Sequence, residues 1–349
     1  MKNIYSILSL LLLAFTAGIY GQEFKAVMRL EGLWKFSLGD NMKYATQSYN
    51  DKNWDQIKVP SAWEDQGYNG YDGYAWYRKH FKYYGDSKGR SLYLQLGNID
   101  DADMVYVNGK LIGYSGSFPP FYQTAYYVYR RYPVPEYYLN KNGDNLIAVR
   151  VFDKELSGGI LRGEIGFYTL TISAYLDINL EGEWKFTTGD NLSYGNKYFN
   201  DSKWRTMFAP GYWDYQGLDS YNGFGWYRKA FYAGDYLKGK KLVLLLGKID
   251  DLDQVYVNGR LIGSTGKMGG NNSAEMDNES YQKFRIYYIP NDVVLINQNN
   301  VIAVRVYDGF VMGGIYEAPL GFMTTERWAK LNRYKKTQSK SFWDFLFGD

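Results

Sequence analysis

Two runs of closely spaced aspartates are the residues best placed for chemistry. Asp100, Asp101 and Asp103 stand in LGNIDDADMVYVNGKLIG (Leu96 to Gly113), and Asp250, Asp251 and Asp253 in LGKIDDLDQVYVNGRLIG (Leu246 to Gly263). Two carboxylates flanking a bond are what acid/base cleavage of a glycoside requires. Clustered carboxylates also suit Ca²⁺, but that ion takes ~6–8 oxygens and three aspartates fall short of a dedicated loop. The third use is scaffold, in which aspartate oxygens cap turns by accepting from nearby backbone N–H groups. The same triplet recurs beside the same hairpin, so two copies of one scaffold device are a simpler reading than two catalytic centres. No catalytic residue, resident metal or cofactor is therefore expected, with a structural Ca²⁺ as the one exception to look for.

Other chemistry is thinly supplied. The chain has no Cys, which excludes disulfides, a thiol nucleophile and thiolate metal sites. Its single histidine, His80, is replaced by Ala230 in the second half. A histidine-based triad or a histidine-rich metal site is thereby excluded. One cation does repeat: Arg78 in WYRK and Arg228 in its twin. We expect each to pair with the aspartate cluster of its own half and tie two strands together. Breaking such a partly buried pair is costly because the remaining charge is left alone.

These residues must be positioned by elements that occur twice. Trp34, Trp54, Pro60, Trp63, Trp76 and Gly113 recur 150 positions later as Trp184, Trp204, Pro210, Trp213, Trp226 and Gly263. The register holds from Glu31 to Gly113 and then slips, so that Arg150 matches Arg305. The variable stretches are therefore Tyr114–Asn140 and Ser264–Asn297. Such a long period fits tandem domains, 24–172 and 173–326, joined by the short linker TISAY (Thr171 to Tyr175) and packed against each other. Each copy reads as β. Asn108-Gly109 between Val105–Val107 and Leu111–Ile112 is a strong hairpin signal, because both residues tolerate positive φ. In NLIAVRVFD, Ile147, Val149 and Val151 alternate with Ala148 and Arg150. Many short strands with such turns predict an all-β chain of two tandem β-sandwiches of jelly-roll type.

With these segments in order, the sequence resembles a known family. WYRKHF, LYLQLGNIDDADMVYVNGKLIG, RRYPVP and NLIAVRVFD, repeated as WYRKAF, LVLLLGKIDDLDQVYVNGRLIG, FRIYYIP and NVIAVRVYD, resemble the galactose-binding-like jelly-roll domain. That domain accompanies family 2 glycoside hydrolases of the β-galactosidase and β-glucuronidase type, and sialate O-acetylesterases. GSFPPF (Gly116 to Phe121) also resembles a turn of the family 2 sugar-binding domain, and the second copy lacks it. The resemblance implies a carbohydrate-related role and specifies the fold more than the function. Enzymes of these families carry their chemistry on a separate barrel or esterase domain, for which the two sandwiches leave no room. GDS (Gly85 to Ser87) is similar to the esterase nucleophile motif, but a surface turn is the simpler reading, because the second copy has Gly234-Asp235-Tyr236 there.

Binding is then sought among aromatic residues, which make up 19% of the chain, with 37 Tyr and 10 Trp. Sugar rings stack their C–H faces on Trp and Tyr, while charged and amide groups take the hydroxyls. Trp76 and Trp226 begin predicted strands and are assigned to the core. In the glycine-rich loops, Trp63, Tyr68, Tyr71 and Tyr74, with Trp213, Tyr215, Tyr221 and Phe224 in the second copy, are candidate carbohydrate contacts. Phe118 and Phe121 of the divergent segment, with Glu155 and Arg162 near a strand end, complete the set. The structural residues expected are Arg78, Asp100, Asp101, Asp103, Arg228, Asp250, Asp251 and Asp253.

The ends and the charge place the protein. Residues 1–22 read as a signal peptide: Lys2, a short apolar core from Ile4 to Phe15, then small residues. The run is too short for an ordinary membrane span of ~20 residues, so a secreted or periplasmic protein without a membrane span is expected. Net charge is only +3 with the signs interspersed, which argues against nucleic acid. The segment 327–349 is a basic and aromatic tail that either frays or docks. The favoured function is non-catalytic carbohydrate binding, with an oligosaccharide or polysaccharide as partner and a separate hydrolase alongside. A glycan hydrolase and a structural protein-interaction module are the alternatives.

Overall fold

The computed structural model describes residues 23–269, 274–275 and 279–333, so the expected signal peptide and the end of the tail lie outside the described residues. The first half forms ten strands: β1 (Phe24–Arg29), β2 (Gly32–Leu38), β3 (Asp55–Val59), β4 (Gly73–Lys82), β5 (Leu92–Asp100), β6 (Ala102–Val107), β7 (Lys110–Ser115), β8 (Tyr129–Val134), β9 (Asp144–Asp153) and β10 (Gly159–Leu170). They make a four-stranded sheet, β1-β10-β5-β8, facing a six-stranded sheet, β3-β2-β4-β9-β6-β7. The second half repeats this with β11 (Ile178–Asn179), β12 (Gly182–Thr188), β13 (Arg205–Ala209), β14 (Gly223–Ala233), β15 (Leu242–Asp250), β16 (Leu252–Val257) and β17 (Arg260–Thr265). Two short paired strands, β18 (Lys267–Met268) and β19 (Ala274–Glu275), lie in the longer variable stretch of this copy. Then follow β20 (Phe284–Tyr288), β21 (Gln298–Asp308) and β22 (Gly314–Thr324). The sheets are β11-β22-β15-β20 and β13-β12-β14-β21-β16-β17, so the chain is two tandem β-sandwiches.

The period of two along each strand decides what is core. β4 and β9 pair without a break from Gly73↔Asp153 to Lys82↔Asp144. Ala75, Tyr77 and Phe81, with Ile147, Val149 and Val151, turn inward against Leu94 and Phe167 of the smaller sheet. Trp76 and Ala148 turn outward and are covered by Tyr44 and Trp54 from the loop before β3. The second core repeats the pattern with Trp184, Phe186, Tyr227, Val304 and Phe322. The hairpin asparagine does more than turn the chain. Asn108 has φ 50° and Gly109 φ 78°. The Asn108 amide also donates to the Tyr138 carbonyl (2.7 Å) and its oxygen accepts from Leu146 N–H (2.8 Å), pinning the hairpin to β9 and to the segment before it. Asn258 repeats both bonds on Val293 and Val301.

The sandwiches touch. TISAY folds into a short 3-10 helix, and Ile172 from it packs beside the buried Tyr93, Leu170 and Ala318. Glu181 is buried here. It accepts from the Ser173 hydroxyl (2.6 Å) and from Ser91 N–H. Tyr215 packs edge-on against Tyr114 at 5.0 Å. The chain ends in a helix over 325–333 whose Trp328 is buried against Val243, Leu245 and Met323. The start of the expected tail thus docks on its own sandwich. No helix among the described residues is long and apolar enough to cross a membrane.

Candidate functional site

The repeated arginines do not reach the aspartate triplets, which corrects the pairing expected from sequence. Arg78 lies on the outer face of β4, and its guanidinium donates to Asp51 (2.7 Å) and to the carbonyls of Tyr44, Thr46 and Tyr49. Arg228 does the same with Asp201 (2.9 Å). Both fasten the loop that covers the outer face. Asp103 follows the opposite parity on β6, inward beside Val105, and meets Arg130 of β8. Arg130 Nε donates to Asp103 at 2.6 Å, and the Tyr132 hydroxyl donates to the other oxygen at 2.6 Å. Arg285 and Tyr287 repeat this on Asp253 at 2.7 and 2.5 Å. In both pairs neither side chain has exposed surface. Burial pushes the Asp103 and Asp253 carboxyls up, against the pull of the neighbouring arginines. Each pair joins the two sheets of its sandwich. Sequence reasoning missed Arg130 and Arg285, which stand 155 positions apart in RRYPVP and FRIYYIP, in the stretch where the repeat slips.

Asp100 and Asp101 find a different third partner, Asp153 at the end of β9. Their carboxylate oxygens lie within 4.8 Å of one another, as do those of Asp250, Asp251 and Asp308. Asp101 is held by the Thr124 hydroxyl and by Lys154 N–H (3.1 Å), and Asp251 by Gly309 N–H (3.1 Å). Asp153 has no exposed surface, and neither of its oxygens meets a hydrogen-bond partner among the described residues. Burial, then the charges of Asp100 and Asp101, push its carboxyl up to about 8. Asp308 is likewise raised by burial, to about 6, with Phe310 N–H opposing. Burial and the adjacent aspartate also raise Asp100 and Asp250. The arrangement can hold a proton or a cation. Asp101 is buried and Asp153 has no exposed surface, while Asp100 is half-buried.

Two further polar groups weighed for chemistry, Ser87 and His80, are tied into the structure. Ser87 of GDS is buried and donates to Glu136 at 2.8 Å. His80 shares Asp51 with Arg78, at 2.7 Å.

Several predicted sugar contacts are corrected by burial. Trp63 and Trp213 have no exposed surface and lie in the two cores, so neither offers a ring face to a ligand. The glycines of SGG and MGG lie over them: a Cβ at Gly158 would stand 2.0 Å from the Trp63 ring, and one at Gly313 2.1 Å from Trp213. Phe224 is buried with the Arg305 guanidinium 4.5 Å above its ring. Tyr68 is half-buried on Phe36 and donates to Asp55 (2.8 Å). Tyr71 and Tyr221 brace their own loops, donating to the carbonyls of Tyr74 and Phe224 (both 2.8 Å). Tyr74 and Phe118 do come together: their rings are parallel within 12° at 5.9 Å. Arg150 lies over both, at 4.7 and 4.2 Å. Phe121, Glu155 and Arg162 are exposed, and no hydrogen bond joins them to the other candidates among the described residues.

Of the candidates, Tyr215 lines a groove that sequence reasoning missed. It runs between the sandwiches with a volume of about 550 Å³, and its walls are rich in tyrosine. Tyr93, Tyr129 and Tyr132 come from the first half, and Tyr212 and Tyr316 from the second, with Arg131, Lys248 and Glu317 among them. Tyr212 and Tyr316 stack at 4.9 Å with 6° between planes, and Lys248 pairs with Glu317 at 3.0 Å. A groove between repeats is lined by inequivalent faces. Its signal in the sequence is therefore where the copies differ: Tyr212 stands where the first copy has Ala62, Tyr215 where it has Asp65, and Tyr316 where it has Leu161.

Comparison with known proteins agrees with the resemblance. Residues 39–157 match the family described as the β-galactosidase second all-β domain. A β-galactosidase of Thermoanaerobacter pseudethanolicus is 27% identical over 150 residues, 41% of this chain and 19% of the relative. A β-glucuronidase of Formosa agariphila is 28% identical over 131 residues, 34% of this chain and 12% of the relative. The chain thus spans less than a fifth of either protein's length. Among solved structures, a family 2 glycosyl hydrolase from Bacteroides cellulosilyticus is 17% identical with a TM-score of 0.36, over 80% of this chain and 31% of that one. A Bacteroides uniformis β-glucuronidase is 14% identical with a TM-score of 0.37, over 82% and 28%. The chain is a pair of β-sandwiches, the first of which resembles the β-galactosidase second all-β domain.

Proposed function

We propose that the protein is an exported, non-catalytic carbohydrate-binding protein. In this reading its units are 24–172 and 173–326, and residues 1–22 direct export to the periplasm or the exterior. The partner is an oligosaccharide or polysaccharide, gripped for capture or held for a separate glycoside hydrolase or esterase. The observation that carries this reading is the tyrosine-walled groove between the sandwiches. Its volume falls within the ~300–1,000 Å³ usual for small-ligand sites. Its chemistry suits a sugar: flat rings for C–H faces, and Arg131, Lys248 and Glu317 for hydroxyls. Tyr129 is 38% exposed at this wall, with the Arg131 guanidinium 5.2 Å over its ring, and is the ring proposed to stack on the sugar.

The test is a glycan-array screen of the mature chain, followed by titration of any hit against Tyr129→Ala. Binding that weakens at least about tenfold in the variant supports the reading, since ring stacking on a sugar is of the size of one good contact. No glycan bound by the intact chain would refute it. Turnover of a panel of aryl glycosides and acetyl esters would replace it with a hydrolase.

A further inference from the structure

We infer that each sandwich holds one divalent cation of the hard, oxygen-preferring class, Ca²⁺ being the type ion: one on Asp100, Asp101 and Asp153, the other on Asp250, Asp251 and Asp308. The argument starts from Asp153. It has no exposed surface, and both its oxygens lack a hydrogen-bond partner among the described residues. Other buried aspartates are satisfied: Asp103 by Arg130 and Tyr132, Asp51 by Arg78, Asp214 by Gly313 and Ser220 N–H. A buried carboxylate left unmatched is costly unless a proton or a cation meets it.

Asp153 points at two other carboxylates, with oxygens within 4.8 Å. Oxygens bound to Ca²⁺ at ~2.3–2.6 Å on opposite sides of the ion stand about 4.6–5.2 Å apart, so this spread fits around one ion. The donors are all oxygen, which suits Ca²⁺ over the softer transition metals. The second copy supplies an independent instance. Asp308 also has no exposed surface, Phe310 N–H holds one of its oxygens (3.0 Å), and the other has no partner among the described residues. It too faces an Asp-Asp pair.

The position gives the ion something to do. Asp100 ends β5 of the small sheet, while Asp101 leads into β6 and Asp153 ends β9 of the large one. A cation there clamps the two sheets at one end, as the Asp103–Arg130 pair joins them further in. The aspartate pair of the opening motif keeps a structural role, with Asp153 in place of Asp103 as its third member.

The experiment uses the mature chain stripped with EDTA and dialysed against CaCl₂, with bound metal counted by elemental analysis and thermal unfolding recorded in parallel. The result expected is two Ca²⁺ per chain. Asp153→Asn and Asp308→Asn should each retain one, and the double variant none. Saturation at a hundredfold excess over Kd should raise the folded-to-unfolded ratio about 100-fold per site. Replacing a buried carboxylate by its amide removes charge, so the variants should melt no lower than the parent in EDTA; that keeps loss of metal separable from loss of fold. If either fails to fold, Asp100→Asn and Asp250→Asn, which are less buried, replace them. Retention of no Ca²⁺, Mg²⁺ or Mn²⁺ by the parent, or an unchanged count in the double variant, would overturn the inference and leave shared protons as what holds the carboxyls together.

Discussion

Truncating Arg130 tests the account of how each sandwich is fastened. In Arg130→Ala, Asp103 loses its only cationic partner among the described residues and keeps the bond from Tyr132. The carbonyls of Asp101 and Val128 also lose donors, at 2.9 and 2.7 Å. Neither Arg130 nor Asp103 has exposed surface, so water cannot substitute. Breaking a buried pair by removing one partner costs about 3–5 kcal/mol. For a unit of ~150 residues at ~2–4 °C per kcal/mol, the melting temperature of the first sandwich should fall by about 6–20 °C. The assay is differential scanning calorimetry on the mature chain, with Arg285→Ala as the matching change in the second sandwich. Arg130→Met with Asp103→Leu should recover most of the loss, because no lone buried charge remains. A fall of less than about 2 °C in Arg130→Ala, or no recovery in the double variant, would refute the reasoning.

Two further perturbations follow from the same geometry. Gly158→Ala drives a Cβ to 2.0 Å from the Trp63 ring, and urea unfolding should register a loss of at least about 1–3 kcal/mol, as for overpacking elsewhere. Burial holds the Lys229 amine down at about 8, against the pull of Glu183 and Glu181. Between pH 8 and its ordinary 10.5 the unfolded chain then carries a proton that the folded chain lacks, so this group adds stability as pH rises. The stability of the parent relative to Lys229→Met, from urea midpoints at pH 7.5 and 10, should therefore rise; an unchanged difference would contradict the burial argument.

What the sequence made legible was local or repeated. Asn108-Gly109 turns the chain because both residues accept positive φ, and the alternation in NLIAVRVFD put Val149 and Arg150 on opposite faces, as observed. The partner of Asp103 was not legible, because strand parity decides it. Arg78 and Asp103 face opposite sides of the same sheet, while Arg130 comes from the other sheet. Trp63 looked exposed because glycine and tyrosine surround it in sequence, but Gly158, distant in sequence, is the close approach that closes the core over its ring. The groove lies between the repeats, so neither copy read alone could display it. The differences at Tyr212, Tyr215 and Tyr316 are among those that mark its second wall.

The central claim is that the space between the sandwiches takes a sugar. The most direct measurement is calorimetric titration of the best glycan-array hit into the mature chain, the Tyr129→Ala variant and the Phe121→Ala variant. Phe121 is 84% exposed and does not line the groove, so it serves as the aromatic surface control. The account predicts binding by the parent, unchanged binding by Phe121→Ala, and a loss of at least about tenfold in Tyr129→Ala. Binding that survives Tyr129→Ala and disappears with Phe121→Ala would contradict it.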